Sequence, residues 1–128
     1  MTLGEPLDYL TTEDLLEIAV GVVGDDVVIR DRGLLATAAA RPQSSAFGED
    51  AYPTYAEKAA ALMHLLARND PLSDGNERLS WAATRIFCLL NGRDLVFTVD
   101  EAQRLVQSIA RGELDAAHLA AVLEGHFG

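Results

Sequence analysis

R-N-D-P-L-S-D-G-N-E-R-L-S-W-A-A-T-R, from Arg68 to Arg85, is the stretch whose reading decides the fold. It reads as a short polar loop, Asp70 to Gly75, feeding the N-terminus of an apolar helix that starts near Asn76. A loop that ends in Gly-Asn at a helix start offers unpaired backbone N–H groups and the positive end of the helix dipole to an anion. Asp74 places a carboxylate just before those donors, and Arg78 places a guanidinium one step inside the helix. Together they supply what a magnesium-bound phosphate needs: a metal ligand, backbone donors and a cationic fork. Asp70 and Glu77 work against this, because they add negative charge where an anion should settle.

Working outward, the pattern is helical throughout. Thr11 or Thr12 followed by Glu13 and Asp14 marks a helix start, and Leu15, Leu16, Ile18, Ala19 and Val22 give its apolar stripe up to Gly24. Val27-Val28-Ile29 is a short β-branched connector. Asp31 to Ala40 reads as a short helix, stopped before Arg41-Pro42 by the proline. Pro42 to Pro53 is a loop by its Pro, Ser and Gly content, with Phe47 and Tyr52 as apolar anchors. A helix from Thr54 to about Ala67 carries Tyr55, Ala59, Leu62, Met63 and Leu66 on one face. Asn76 to Leu90, closed by Asn91-Gly92, is apolar nearly all round and is expected to be the central, surrounded helix. After a short extended step at Leu95-Val96-Phe97 come a helix from Val99 to Arg111 and a last one capped by Asp115. The expected class is all-α: one domain over residues 1–128, with about six helices around a buried one.

Composition bounds the function. The chain has 20 acidic against 10 basic residues, a formal net charge of −10. Lys58 is its only lysine, so the clustered cations that nucleic acids require are missing and no nucleic-acid partner is expected. The one cysteine, Cys88, lies in the apolar run I-F-C-L-L, which excludes a disulfide framework and predicts a buried reduced thiol. No apolar run approaches the ~20 residues needed to cross a bilayer. Residues 1–8, M-T-L-G-E-P-L-D, lack the basic and apolar regions of a secretory signal. A cytoplasmic protein without a membrane partner is expected.

The run D-P-L-S-D-G-N-E-R-L (Asp70–Leu79) resembles the signature of the Fic fold, and most of all that of its death-on-curing (Doc) branch. Members typically read H-x-F-x-D/E-x-N-K/G-R at this place. R-D-R-G-L-L-A-T-A-A-A-R-P-Q (Arg30–Gln43) resembles the family's segment before its flap, in the matching order and spacing. The resemblance implies an all-α Fic-fold bundle that binds ATP with Mg²⁺ at the motif loop. It also implies transfer of a phosphoryl or nucleotidyl group to a protein hydroxyl. In the Doc branch the target is elongation factor Tu, translation is blocked, and a Phd-type antitoxin silences the toxin.

Carried over by position, Asp74 is the Mg²⁺ ligand, Gly75, Asn76 and Glu77 line the phosphate site, and Arg78 steadies the phosphate chain. Asp70 stands where the family has its catalytic histidine, Leu72 where it has phenylalanine, and Glu77 where the Doc branch has lysine. Asp70 is therefore a compromised base, and the chain is expected to be weakly active or inactive. The alternative is a non-catalytic binding module that keeps antitoxin or target binding.

Plainer readings stand beside these. A bare D-G-N is most often a turn and helix cap, and Asp70 before Pro71 reads equally well as a turn starter. Arg85 is expected in a surface ion pair, His64 as a packing residue held away from the loop, His118 and His126 on the surface, and Trp81 in the core.

Overall fold

The computed structural model describes residues 6–128, so most of the segment read for a secretory signal lies outside the described residues. Six α-helices follow in order: α1 (Thr12–Val23), α2 (Arg32–Ala40), α3 (Tyr55–Asn69), α4 (Asn76–Leu90), α5 (Val99–Ala110) and α6 (Ala116–Glu124). The all-α class is borne out. The one sheet among the described residues is a two-stranded antiparallel hairpin between α2 and α3, β1 (Ser45–Ala46) with β2 (Glu49–Asp50). No helix among the described residues is long and apolar enough to cross a membrane.

Local chemistry explains the helix starts. Thr11, Thr54 and Thr98 each accept a hydrogen bond from the N–H of the third residue of their helix, and the carboxylates of Asp14, Glu57 and Glu101 accept one from the cap N–H in turn. Asp31 and Asp115 cap α2 and α6 through their side chains. Such caps contribute about 1 kcal/mol each. α4 alone has no side-chain cap: its N-cap is Gly75, in a left-handed conformation.

The surrounded helix is α3, which corrects the expectation that Asn76–Leu90 would fill that place. Ten of its residues between Ala56 and Ala67 are buried, and it packs against α2, α4, α5 and α6. Its alanines (Ala56, Ala59, Ala60, Ala61, Ala67) let these neighbours approach closely. α4 is two-sided: Leu79, Ala83, Phe87 and Cys88 face inward, while Arg85, Leu89 and Leu90 face outward. Buried residues from all six helices join one apolar cluster. Phe87 lies within it, stacked between Tyr9 and Tyr55 at 6.0 and 5.9 Å.

The Pro42–Pro53 loop is more ordered than its composition suggested. A 3-10 turn (Arg41–Gln43) leads into the hairpin, whose tip, Phe47-Gly48, has positive φ at both residues. That turn suits the twist of a two-residue hairpin. At the hairpin's far end, Lys58 of α3 is buried and donates to the Pro42 carbonyl (3.2 Å) and the Asp50 carboxylate (3.5 Å). The only lysine in the chain thus ties the hairpin to the core helix.

The expected extended pieces are present as isolated bridges, Ile29 with Leu72 and Leu95 with Phe127. Arg85 forms the expected surface ion pair, with Asp94 at 3.0 Å. His64 contacts the Leu114 carbonyl and His118 pairs with Asp115. His126 departs from its expectation. It is half-buried, lying parallel on Phe97 at 4.0 Å.

Two outcomes follow. Lys58→Met leaves Asp50 without its partner and frees the hairpin, so limited proteolysis should cut between residues 44 and 52 faster while the core resists. Burial raises the Cys88 thiol to about 11, so thiol reagents should not modify it in native protein at pH 8 but should after denaturation. Because the folded value lies above the ordinary one, this group's share of stability is intact below about pH 8.5 and is lost as pH rises through 11. Thermal melts across that range check the sign.

Candidate functional site

The loop between α3 and α4 is rigid because every second residue is pinned. Asp70 ends α3 in a left-handed conformation, φ 51° and ψ 63°, a region that Asp, Asn and His enter more readily than other side chains. Pro71 and Leu72 are buried, and Leu72 is 1% exposed, so the loop's middle is anchored in the core. The Asn76 side chain closes the loop by a reciprocal pair. Its Oδ1 accepts from the Leu72 N–H at 2.8 Å, and its Nδ2 donates to the Leu72 carbonyl at 2.9 Å.

A strap from residues 28–31 holds the loop from outside. The N–H groups of Arg30 and Asp31 donate to the Pro71 carbonyl (2.9 and 3.0 Å), and the Ser73 N–H donates to the Val28 carbonyl (3.0 Å). The Arg30 guanidinium donates through Nε to the Asp70 carbonyl at 2.8 Å and through Nη2 to the Asn69 carbonyl at 3.1 Å. Gly75 is forced by space as well as by its φ of 88°: a Cβ there would collide with the Val23 side chain at the end of α1.

Around this loop lies a cavity of about 630 Å³, lined by Arg30, Asp70, Asp74, Gly75, Glu77 and Arg78 among others. The structure therefore brings together every residue singled out from the motif. Asp70, Asp74, Glu77 and Arg78 are exposed to it, and among the described residues no side chain caps the mouth of α4. The first-turn N–H groups of α4 accordingly have no side-chain acceptor. The Asn76 side chain is committed to the loop, so its backbone N–H is what it offers the cavity. Arg78 reaches the Val22 carbonyl at 3.3 Å with Nη1, a long bond that an anion could replace.

Asp74 provides one carboxylate at the rim, and no group of three His, Cys, Asp or Glu residues among the described residues forms a metal cage. A magnesium ion here would have to complete its shell with ligand phosphates and water, the usual arrangement for this ion. The donor set suits a metal that arrives with a polyphosphate.

A second, more apolar groove of about 290 Å³ opens between α4 and α5 and shares Glu77 and Arg78 with the first cavity. Trp81, Val99, Ala102 and Val106 form its walls, with the amides of Gln103 and Gln107 one helical turn apart on α5. Trp81, expected wholly in the core, is half-buried and lines this groove. Sequence reading did not single out Arg30 or the glutamine pair. The Gln103–Gln107 spacing of four was legible as one helix face, but which face α5 turns toward Trp81 is set by packing.

The sequence profile of the Fic/DOC family matches residues 9–88 of this chain. A protein named Toxin Doc, from Mycolicibacterium smegmatis, is 44% identical to it over 120 residues, covering 92% of each chain.

Gly75→Ala should lower stability by at least the roughly 1–2 kcal/mol that a left-handed non-glycine residue costs, and by more if Val23 cannot give way. Asn76→Ala should lower it by about 1–3 kcal/mol by orphaning the Leu72 backbone groups. Denaturant melts of both variants measure these losses, with unchanged midpoints counting against the clamp.

Proposed function

This chain belongs to the Fic/DOC family, and from that premise we propose that it is the toxin of a toxin–antitoxin pair. In this reading it transfers the γ-phosphoryl group of Mg-ATP to a hydroxyl of a protein target, elongation factor Tu by family analogy, and does so weakly. A Phd-type antitoxin would be its silencing partner. The observation that carries the reading is the bare N-terminus of α4. Each of the other five α-helices has a side-chain cap, and this one instead opens its N–H groups onto a cavity edged by Asp74 and Arg78.

Each residue then has a task. The N–H groups of Asn76, Glu77 and Arg78 donate to phosphate oxygens, and the helix dipole adds to their pull. Arg78 neutralises charge on the phosphate chain, and Asp74 would hold a magnesium ion, which would supply further charge neutralisation when bound. The groove beside Trp81 takes the nucleobase, with an apolar wall for its faces and the Gln103 and Gln107 amides for its edge. As the bond from the γ-phosphorus to ADP breaks and that to the target oxygen forms, Asp70 accepts the hydroxyl proton, the part an aspartate plays in protein kinases.

The weakness has two causes. Aspartate is a poorer proton acceptor than histidine, with an ordinary pKa of about 4 against about 6.5. Glu77 places a negative charge where the Doc branch has a positive one, which opposes the phosphates. The left-handed backbone at residue 70 also accommodates histidine, so the substitution leaves the loop's shape available for reversal.

Asp70→His with Glu77→Lys should therefore raise phosphate transfer from labelled ATP to elongation factor Tu by about 10²–10⁴, the usual contribution of a general base. It should also arrest bacterial growth on induction. A double variant that neither transfers nor arrests growth would sink the toxin reading. Because Trp81 is the only tryptophan, Mg-ATP should change the protein's intrinsic fluorescence, whereas Mg-tripolyphosphate should bind and change it far less. Nucleotide binding without any transfer, even in the double variant, would instead favour a binding module.

A further inference from the structure

The cavity poses an electrostatic problem that the motif residues do not solve. Asp70, Asp74 and Glu77 line it with three carboxylates. The C-terminal end of α3 adds the negative pole of a helix dipole, worth roughly half an elementary charge. Against these the motif sets one lining guanidinium, that of Arg78, which leans on the Val22 carbonyl. A polyphosphate entering such a place needs a further cation, held still.

Arg30 has the required geometry. It comes from the strap before α2, outside the motif, and lies against the one wall of the cavity that repels anions. Its Nε and Nη2 are fixed on the Asn69 and Asp70 carbonyls, which cancels the negative end of α3 and holds residue 70 in its left-handed pose. Its backbone N–H is fixed as well, on the Pro71 carbonyl. Its Nη1 makes no hydrogen bond to a described residue, although the side chain lines the cavity. A guanidinium anchored along one edge and open along the other has already lost the rotamer freedom that usually opposes binding.

We propose that Arg30 is a phosphate-binding residue of this site, presenting Nη1 to a polyphosphate oxygen opposite the donors of α4. The inference rests on the nucleotide reading above and adds a second cationic grip to it, from a different segment of the chain than Arg78. It also explains how the cavity tolerates acids at positions 70 and 77. The guanidinium offsets the negative helix end beneath it through the Asn69 and Asp70 carbonyls and adds a positive charge to the acid-lined cavity.

Calorimetry with Mg-tripolyphosphate and with Mg-ATP, on the wild-type chain, Arg30→Met and Arg30→Lys, tests this. Hydrogen exchange at the Asp31 and Ser73 amides, whose bonds to Pro71 and Val28 report the strap, is measured alongside. Arg30→Met should weaken both ligands tenfold or more, the scale of one charge-assisted hydrogen bond, with the two amides still protected. Arg30→Lys, a cation without the fork, should recover part of the loss. Unchanged tripolyphosphate affinity in Arg30→Met overturns the proposal. So does a loss that appears only together with loss of amide protection, because Arg30 would then merely hold the loop. Failure of the wild-type chain to bind either ligand removes the nucleotide reading itself, which separates the two.

Discussion

The reciprocal pair between Asn76 and the backbone of Leu72 is the interaction on which the site depends. A chain leaving α3 has only Asp70 to Gly75 in which to reverse and begin α4. If a Ser, Thr or Asp side chain capped α4 in the ordinary way, its oxygen would occupy the helix mouth. Asn76 instead closes the loop from inside the helix, and Gly75 turns the backbone with no side chain at all. The loop is thereby stabilised without using the donors at the mouth. Leu72 in the core and the Val28–Asp31 strap replace the stability that a cap would have given.

This division of labour separates structural from chemical residues within one short segment. The side chains of Pro71, Leu72 and Asn76 are spent on the core or the loop, and Gly75 has none, while Asp70, Asp74, Glu77 and Arg78 are exposed at the cavity. The chemical residues can change without loss of fold, as the acids at 70 and 77 illustrate. The structural ones are held by burial (Pro71, Leu72), by reciprocal bonding (Asn76) or by a positive φ against Val23 (Gly75).

Burial was harder to read than helix position. The Asn76–Leu90 segment looks apolar all round because Trp81, Ile86, Leu89 and Leu90 lie on different faces, yet Leu89 and Leu90 are about half exposed. The Tyr55–Asn69 helix looks half polar because alanine contributes little to a periodic signal, and Lys58 counts against it. Close packing reverses both impressions. Alanine disappears wherever two helices approach closely, and the Lys58 ammonium is buried because it finds the Pro42 carbonyl and Asp50. The same limit hid Arg30 from the site, since forty residues separate it from Asp70.

The sequence by itself determined the helical class, the order of the elements, their Thr and Asp starts, and the loop whose residues line the cavity. These follow from local rules: periodicity of 3.6, capping oxygens, and the special backbone of Gly and Asp. Only the tertiary structure decided that α3 is the buried axis, that Asn76 serves the loop rather than the cavity, that Trp81 and two glutamines share a groove, and that Arg30 stands beside Asp70. Each of those facts is a contact between segments distant in the chain or a choice of which face turns inward. Packing makes such choices by excluding the alternatives in three dimensions, and no local rule encodes them.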